Sequence, residues 1–172
     1  MAPPIEIDVW QGDLAELEVD ALVVSATETL FMTAGPAAAV KRHGGEEIER
    51  AAVDQGPVPT GMAIVTHAGS LAAGYVIHAV AVGHDRIPDP ERLTAAVRAA
   101  LAFAVPLQLR RIAVALPGIE FGAFTVDDAA RLLIESLRTT DAPLESVVVT
   151  TIHAHETEAV RAALVHAGSP AA

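Results

Sequence analysis

Residues suited to bind or transform a small ligand are concentrated in three short stretches, each of which follows an apolar run. The stretches begin after Trp10, after Ala26 and after Leu116. Glycine turns and helix starts present backbone N–H groups that can hold a small anion. A carboxylate in such a stretch, such as Glu120, can orient a water molecule or exchange a proton with it. The three stretches together indicate a site for a small anionic ligand.

Two histidines near the carboxyl end raise the question of a metal site. The spacing of His153 and His155 would place both rings on one side of a continuing strand, as zinc ligands often lie. The sequence offers no evident third ligand, and cysteine is absent. We therefore predict no metal and no cofactor. His78 lies within an apolar run, which favours a hydrogen-bonded histidine in the core.

The charge balance restricts the partners of the chain. Eleven basic and 22 acidic residues give a net charge of −11, which disfavours attachment to nucleic acid or to an anionic membrane surface. The amino-terminal segment lacks a secretory pattern, and no apolar run is long enough to span a bilayer. We expect a cytoplasmic protein with one domain over residues 1–172. We also expect a monomer, because a single domain of this size can bury its own core without a partner.

Strands and helices alternate along the chain, and they must position the three stretches. Strands are predicted at Pro4 to Trp10, Val19 to Ala26, Met62 to His67, Gly74 to Val82, Arg111 to Leu116 and Ser146 to Ile152. Helices are predicted at Leu14 to Leu17, Gly35 to His43, Glu46 to Asp54, Arg92 to Leu107, Thr125 (the N-cap) to Arg138 and His155 to Ala167. This order predicts the α/β class, as a three-layer α/β/α sandwich around a mixed, mostly parallel sheet of about six strands. Ligands of such folds bind beyond the carboxyl ends of the central strands.

Five segments in this order resemble the macrodomain family, and the resemblance extends roughly from Ile5 to Leu164. The segments are GDL at Gly12 to Leu14, VDALVVSAT at Val19 to Thr27, AGPAAAVKRHGG at Ala34 to Gly45, VIHAV at Val76 to Val80 and ALPGIEFGAF at Ala115 to Phe124. Each segment alone is weak, because Gly-Asp and Gly-Pro turns are common. The resemblance implies a single macrodomain that binds ADP-ribose.

The resemblance also implies roles for particular residues. Asp13, beside Leu14, would accept a hydrogen bond from the adenine amine, although an aspartate here would serve equally well as a helix N-cap. The diphosphate would lie between two loops, which contribute Ala34, Gly35 and Ala37 from one side and Gly118, Ile119, Gly122, Ala123 and Phe124 from the other. Phe124 would pack against the diphosphate and the distal ribose, or alternatively fill the core.

The chain departs from the family pattern at the ribose and phosphate end. Thr27 stands where the family has a ribose-contacting Asn, and Ala37 where the de-ADP-ribosylating branch has an Asp. Pro36 replaces a residue that could donate an N–H group. Glu120 occupies a position that is usually Ser, Gly or Thr. We take Glu120 and Thr27 as the candidate catalytic residues; the alternative for Glu120 is a solvent-facing loop acid. Glu28 is a further acid near the rim.

Three functions are compatible with these residues. The first is ADP-ribose binding with hydrolase activity, which would remove mono-ADP-ribose from acidic side chains of proteins or process derivatives such as ADP-ribose 1″-phosphate. The second is a non-catalytic module that recognises ADP-ribose or an ADP-ribosylated protein. The third is a doubly wound protein for another nucleotide, which the absence of a Gly-x-Gly-x-x-Gly pattern disfavours.

Overall fold

The computed structural model describes residues 3–168. The strands are β1 (Glu6–Gln11), β2 (Ala21–Thr27), β3 (Ala63–His67), β4 (Tyr75–Val82), β5 (Arg111–Ala115) and β6 (Ser146–Thr151). The α-helices are α1 (Gly35–Gly44), α2 (Glu46–Val53), α3 (Pro90–Ala102), α4 (Val126–Thr139) and α5 (Ala154–Gly168), and two 3-10 helices span Leu14–Glu16 and Ile119–Phe121. The predicted α/β sandwich with a mixed six-stranded sheet is confirmed.

The strands form one sheet in the order β1-β6-β5-β2-β4-β3. All neighbouring strands are parallel except β3, which runs antiparallel to β4 at one edge. Parallel strands end at the same edge of a sheet, so the loops after β1, β2, β4, β5 and β6 share one side of the molecule. The candidate site lies on that side.

Helices cover both faces of the sheet. Side chains of β2 alternate between two cores, because successive residues of a strand point to opposite faces. Leu22 and Val24 pack in the core under α1 and α2, whereas Ala21 and Val23 pack in the core under α3 and α4. Six of the seven residues of β2 are therefore buried, as expected for a central strand covered on both faces.

One helix boundary differs clearly from the prediction. The helix predicted to run to Leu107 ends at Ala102, and turns follow as far as Gln108. Pro106 explains the difference, because it disfavours helical backbone at Val105 and lacks the N–H group that a helix would need. Gln108 adopts a positive φ of 54° as the chain turns towards β5. Within residues 3–168, no helix is long and apolar enough to cross a membrane.

Candidate functional site

A cavity of about 420 Å³ opens at the carboxyl ends of the parallel strands. We call it the main cavity. Its walls come from the loop after β1, the start of α1, the loop after β5 and the junction of β6 with α5. The lining residues are Asp13, Leu14, Gly35, Pro36, Ala39, Arg42, Leu116, Ile119, Glu120, Thr150, Thr151, Ile152, His153 and Glu156. Five of the predicted site residues therefore share one cavity although they are far apart in sequence.

Asp13 caps the first 3-10 helix and also faces the main cavity. Its Oδ1 accepts a hydrogen bond of 2.9 Å from the backbone N–H of Ala15. Its Oδ2 lies 3.1 Å from Nε2 of His43, which is in the last turn of α1. The N-cap alternative is thus present in the structure. A carboxylate has about four acceptor positions, so these two contacts leave Asp13 able to accept from a ligand.

The first turn of α1 points at the main cavity with its backbone donors unused by the helix. The first intrahelical bond runs from the N–H of Ala38 to the carbonyl of Ala34, so the helix gives Gly35 and Ala37 no acceptor. No acidic side chain lies in this turn, and Ala34, the N-cap residue, makes no side-chain cap. The turn therefore has the partial positive charge of a helix start. Ala37 is buried and lies outside the cavity lining.

The loop after β5 is shaped by two glycines with positive φ. Gly118 has φ of 80° and Gly122 has φ of 71°. The Gly118 N–H donates to Oγ of buried Ser25 at 2.9 Å, and the Gly122 N–H donates to the carbonyl of Ile119. The ring of Phe124 packs against Gly118, where an added Cβ would lie 2.8 Å from the ring. Phe124 fills the core, as one alternative predicted, and with Gly118, Gly122 and Ala123 it lies outside the lining of the cavities at this loop.

Glu120 projects from this loop towards α1. An ideal Cβ on Gly35, whose φ is +55°, would lie 2.8 Å from Cβ of Glu120 and 3.1 Å from its Cγ. Oε2 of Glu120 is buried and has no hydrogen-bond partner among the described residues. Burial raises the pKa of Glu120 to about 7, a hydrogen bond from its own backbone amide opposes this, and the charge of Glu156 adds to it. The expectation of a solvent-facing loop acid is therefore wrong.

A smaller cavity of about 190 Å³ lies on the other side of Glu120. We call it the side cavity. It is lined by Thr27, Thr29, Phe31, Thr33, Ala34, Gly83, His84, Arg86, Glu120 and Phe121. The hydroxyls of Thr27 and Thr29 are 3.3 Å apart. Glu28 does not line the side cavity; it accepts a hydrogen bond from Thr60 and lies 3.6 Å from Nε2 of His84. Glu120 therefore separates two cavities, and both candidate catalytic residues line the smaller one.

The junction of β6 and α5 contributes a part of the main cavity, and its residues Ile152 and Glu156 were not predicted as site residues. Glu156 is 5% exposed and accepts hydrogen bonds from the backbone N–H groups of Ile152 and His153. This contact fixes the turn that carries Ile152 and His153 along the cavity wall. The signal available in the sequence was an acidic residue in the first turn of a predicted helix, where it can satisfy backbone donors.

The structure shows where the histidines considered as metal ligands or core residues lie. The rings of His153 and His155 are stacked with centroids 5.6 Å apart. No group of three or more potential metal ligands is found between residues 3 and 168. His78 is 1% exposed and lies 3.0 Å from the hydroxyl of Thr66 through Nε2, so the predicted hydrogen-bonded core histidine is confirmed. Burial lowers the pKa of His78 to about 4, which keeps the ring neutral.

Comparison with known proteins agrees with this architecture. A family model described as Macro domain matches residues 23–133. An uncharacterized protein of Mycobacterium tuberculosis is 36% identical over 168 residues, which are 98% of this chain but 47% of that protein. An uncharacterized protein of Aquifex aeolicus is 35% identical over 157 residues, which are 90% of this chain and 95% of that protein. The chain thus spans about half the length of its mycobacterial relative.

Solved structures share the fold at low sequence identity. The Trypanosoma brucei macrodomain in complex with ADP-ribose superposes with a TM-score of 0.84 at 21% identity, covering 92% of this chain and 69% of that one. The Oceanobacillus iheyensis macrodomain with ADP superposes with a TM-score of 0.81 at 21% identity, covering 92% and 90%. The family model and the fold agree, and the chain belongs to the macrodomain family.

Proposed function

We propose that the chain binds an ADP-ribosyl group, with the adenosine part in the main cavity and the distal ribose in the side cavity. The observation that carries this proposal is the arrangement around Glu120. The two cavities lie on either side of Glu120, between the first turn of α1 and the loop after β5, at the carboxyl edge of the sheet. A ligand with a diphosphate between two larger groups matches this layout. Structural neighbours of the same fold were solved with ADP-ribose or ADP.

The walls of the main cavity suit a purine. Leu14, Ile119 and Ile152 supply apolar surface, and Asp13 supplies an acceptor at one end. A binding site of this kind combines apolar walls with a few polar groups that fix orientation. The unused N–H groups at the start of α1 would then face the diphosphate, because a helix start attracts anions.

The affinity for ADP-ribose tests this proposal, with Asp13→Asn as the informative variant. Asparagine caps a helix as well as aspartate does, so the first 3-10 helix is retained. The variant loses the charged acceptor for the adenine amine, and we expect its dissociation constant to rise about tenfold to a hundredfold. Isothermal titration calorimetry measures the change. Asp8→Asn, at an exposed position of β1, is the control and should match the unmodified protein. If neither the unmodified protein nor Asp8→Asn binds ADP-ribose, the proposal is contradicted.

A second candidate function is hydrolysis of the linkage between ADP-ribose and a protein. The observation that favours it is the position of Glu120, a half-buried acid with a buried Oε2 and a raised pKa, which lines the side cavity together with Thr27. Such an acid could give its proton to the departing oxygen as the bond from that oxygen to C1″ breaks. The water that adds to C1″ then releases a proton, which restores Glu120.

Release of ADP-ribose from a mono-ADP-ribosylated protein separates the two functions. Hydrolase activity predicts several turnovers per protein molecule, and Glu120→Gln should slow the release about a hundredfold or more because glutamine cannot donate that proton. The control is Glu18→Gln, an exposed residue before β2 at the opposite end of the sheet. Release that stays absent over long incubation would leave the chain as a binding module. Equal turnover in Glu120→Gln would remove Glu120 from the mechanism.

A further inference from the structure

Glu120 occupies the gap in which the proposed ligand would carry its phosphates. Its side chain passes between the loop after β5 and Gly35 at the start of α1, in contact distance of the position where a residue other than glycine would carry Cβ. It lines both the main cavity and the side cavity. A diphosphate that links the two cavities must therefore pass directly beside this carboxyl group.

The environment of Glu120 offers the carboxylate little compensation. Oε2 is buried without a hydrogen-bond partner among the described residues. Glu156, at the start of α5, repels it and raises its pKa. The partial charge at the start of α1 and the backbone amide of Glu120 itself are the opposing influences. Burial outweighs them, and the pKa of Glu120 rises to about 7.

Other charged groups face the same space from each neighbouring element. The loop after β1 contributes Asp13, and α1 contributes Arg42. The junction of β6 and α5 contributes His153 besides Glu156, and the loop after β4 contributes His84 and Arg86 to the side cavity. Because several charged groups face this space, a pH effect has to be assigned to Glu120 with a variant.

We propose that Glu120 determines the charge preference of the cleft: a ligand with a diphosphate binds only when Glu120 carries its proton, so that at alkaline pH, where the free protein has lost this proton, binding takes one up. The physical reason is that two anions in contact in a dry gap repel each other, whereas a neutral carboxyl group can donate its O–H to a phosphate oxygen. A ligand of the same shape at the purine end but without phosphate is indifferent to this proton. This inference rests on the proposed ADP-ribose binding and specifies the form of the protein that binds.

Calorimetry as a function of pH tests the inference. For ADP-ribose we expect a dissociation constant that is constant below about pH 6 and rises about tenfold per pH unit above pH 7 to 8. Titration at pH 8 in HEPES and in Tris, which differ in ionisation enthalpy, should show uptake of about one proton per ligand bound. Adenosine, which has no phosphate, should bind with a dissociation constant that does not follow this slope.

Two variants assign the proton. Glu120→Gln stays neutral at every pH, so its affinity for ADP-ribose at pH 8 should equal its affinity at pH 6. Glu18→Gln should keep the slope and proton uptake of the unmodified protein. A slope that survives in Glu120→Gln, or ADP-ribose binding without proton uptake, would overturn the role of Glu120 while leaving ADP-ribose binding intact. Failure of ADP-ribose to bind to the unmodified protein and to Glu120→Gln at any pH would instead contradict the proposed function itself.

Discussion

At pH 8 the free energy of unfolding of Glu120→Gln is expected to exceed that of the unmodified protein by about 3 kcal/mol. The pKa of Glu120 is raised from 4.5 to about 7 in the folded protein, chiefly by burial. Between these values the folded state holds a proton that the unfolded state has lost, so raising the pH removes stability. The loss begins near pH 4.5 and is complete above pH 7. Glutamine has no proton to lose and escapes this cost.

Urea unfolding of both proteins at pH 4.5, 6 and 8 measures this difference. The two free energies should be close at pH 4.5, where Glu120 is protonated in the folded state and still about half protonated in the unfolded state, and should diverge as the pH rises. Contributions of other groups, including His78, are shared by both proteins and cancel in the difference. Glu18→Gln provides the control for a change of charge at an exposed site. If the difference in the free energy of unfolding is the same at all three pH values, the pKa of Glu120 is not raised in the folded protein.

Gly35→Ala is expected to lower the free energy of unfolding by about 3 kcal/mol, the sum of a left-handed backbone penalty and an overpacked contact. Gly35 has φ of +55°, and an added Cβ would lie 2.8 Å from Cβ of Glu120. That atom is attached directly to the backbone, so it cannot swing away as the end of a long side chain would. Either α1 or the loop after β5 must shift.

A matched glycine separates the two contributions. Gly122 has φ of +71°, but no atom lies within 4 Å of its ideal Cβ. Gly122→Ala should therefore cost only the backbone penalty, about 1 kcal/mol. The double variant Gly35→Ala/Glu120→Gly removes the opposing side chain. Its loss in the free energy of unfolding should be about 2 kcal/mol smaller than the sum of the losses in Gly35→Ala and Glu120→Gly. Chemical denaturation of the single and double variants gives these values; equal costs at the two glycines would rule out the contact.

The sequence was sufficient to predict the fold because its strands carry strong local signals. The apolar run that became β2 lacks alternation, which identifies a strand buried on both faces. Thr125 was predicted as an N-cap, and its hydroxyl indeed accepts from the N–H of Asp128. The helix that became α3 was predicted to be too long, because the segment before β5 is rich in alanine and leucine although it contains Pro106. Local composition favoured helix there, but the proline ends the helix early.

The site was only partly predictable because its walls depend on strand order. Asp13, Gly35 and Glu120 follow recognisable turns, and the structure brings all three to one cavity. Glu156 and Ile152 reach that cavity because β6 pairs between β1 and β5, a long-range pairing that local patterns do not report. The direction of the Glu120 side chain likewise depends on its packing against Gly35, so the sequence alone left a solvent-facing orientation open.

The insertion of β6 between β1 and β5 has a consequence for biosynthesis. Residues Glu6–Gln11 pair with Ser146–Thr151, so β1 leaves the ribosome well before its partner strand, which follows the other strands of the sheet. The emerging chain cannot complete the sheet, or the cavity wall at Ile152 and Glu156, until β6 is available. Until then β1 has no partner strand. The main cavity thus becomes complete only after β6 and the start of α5 have been synthesised.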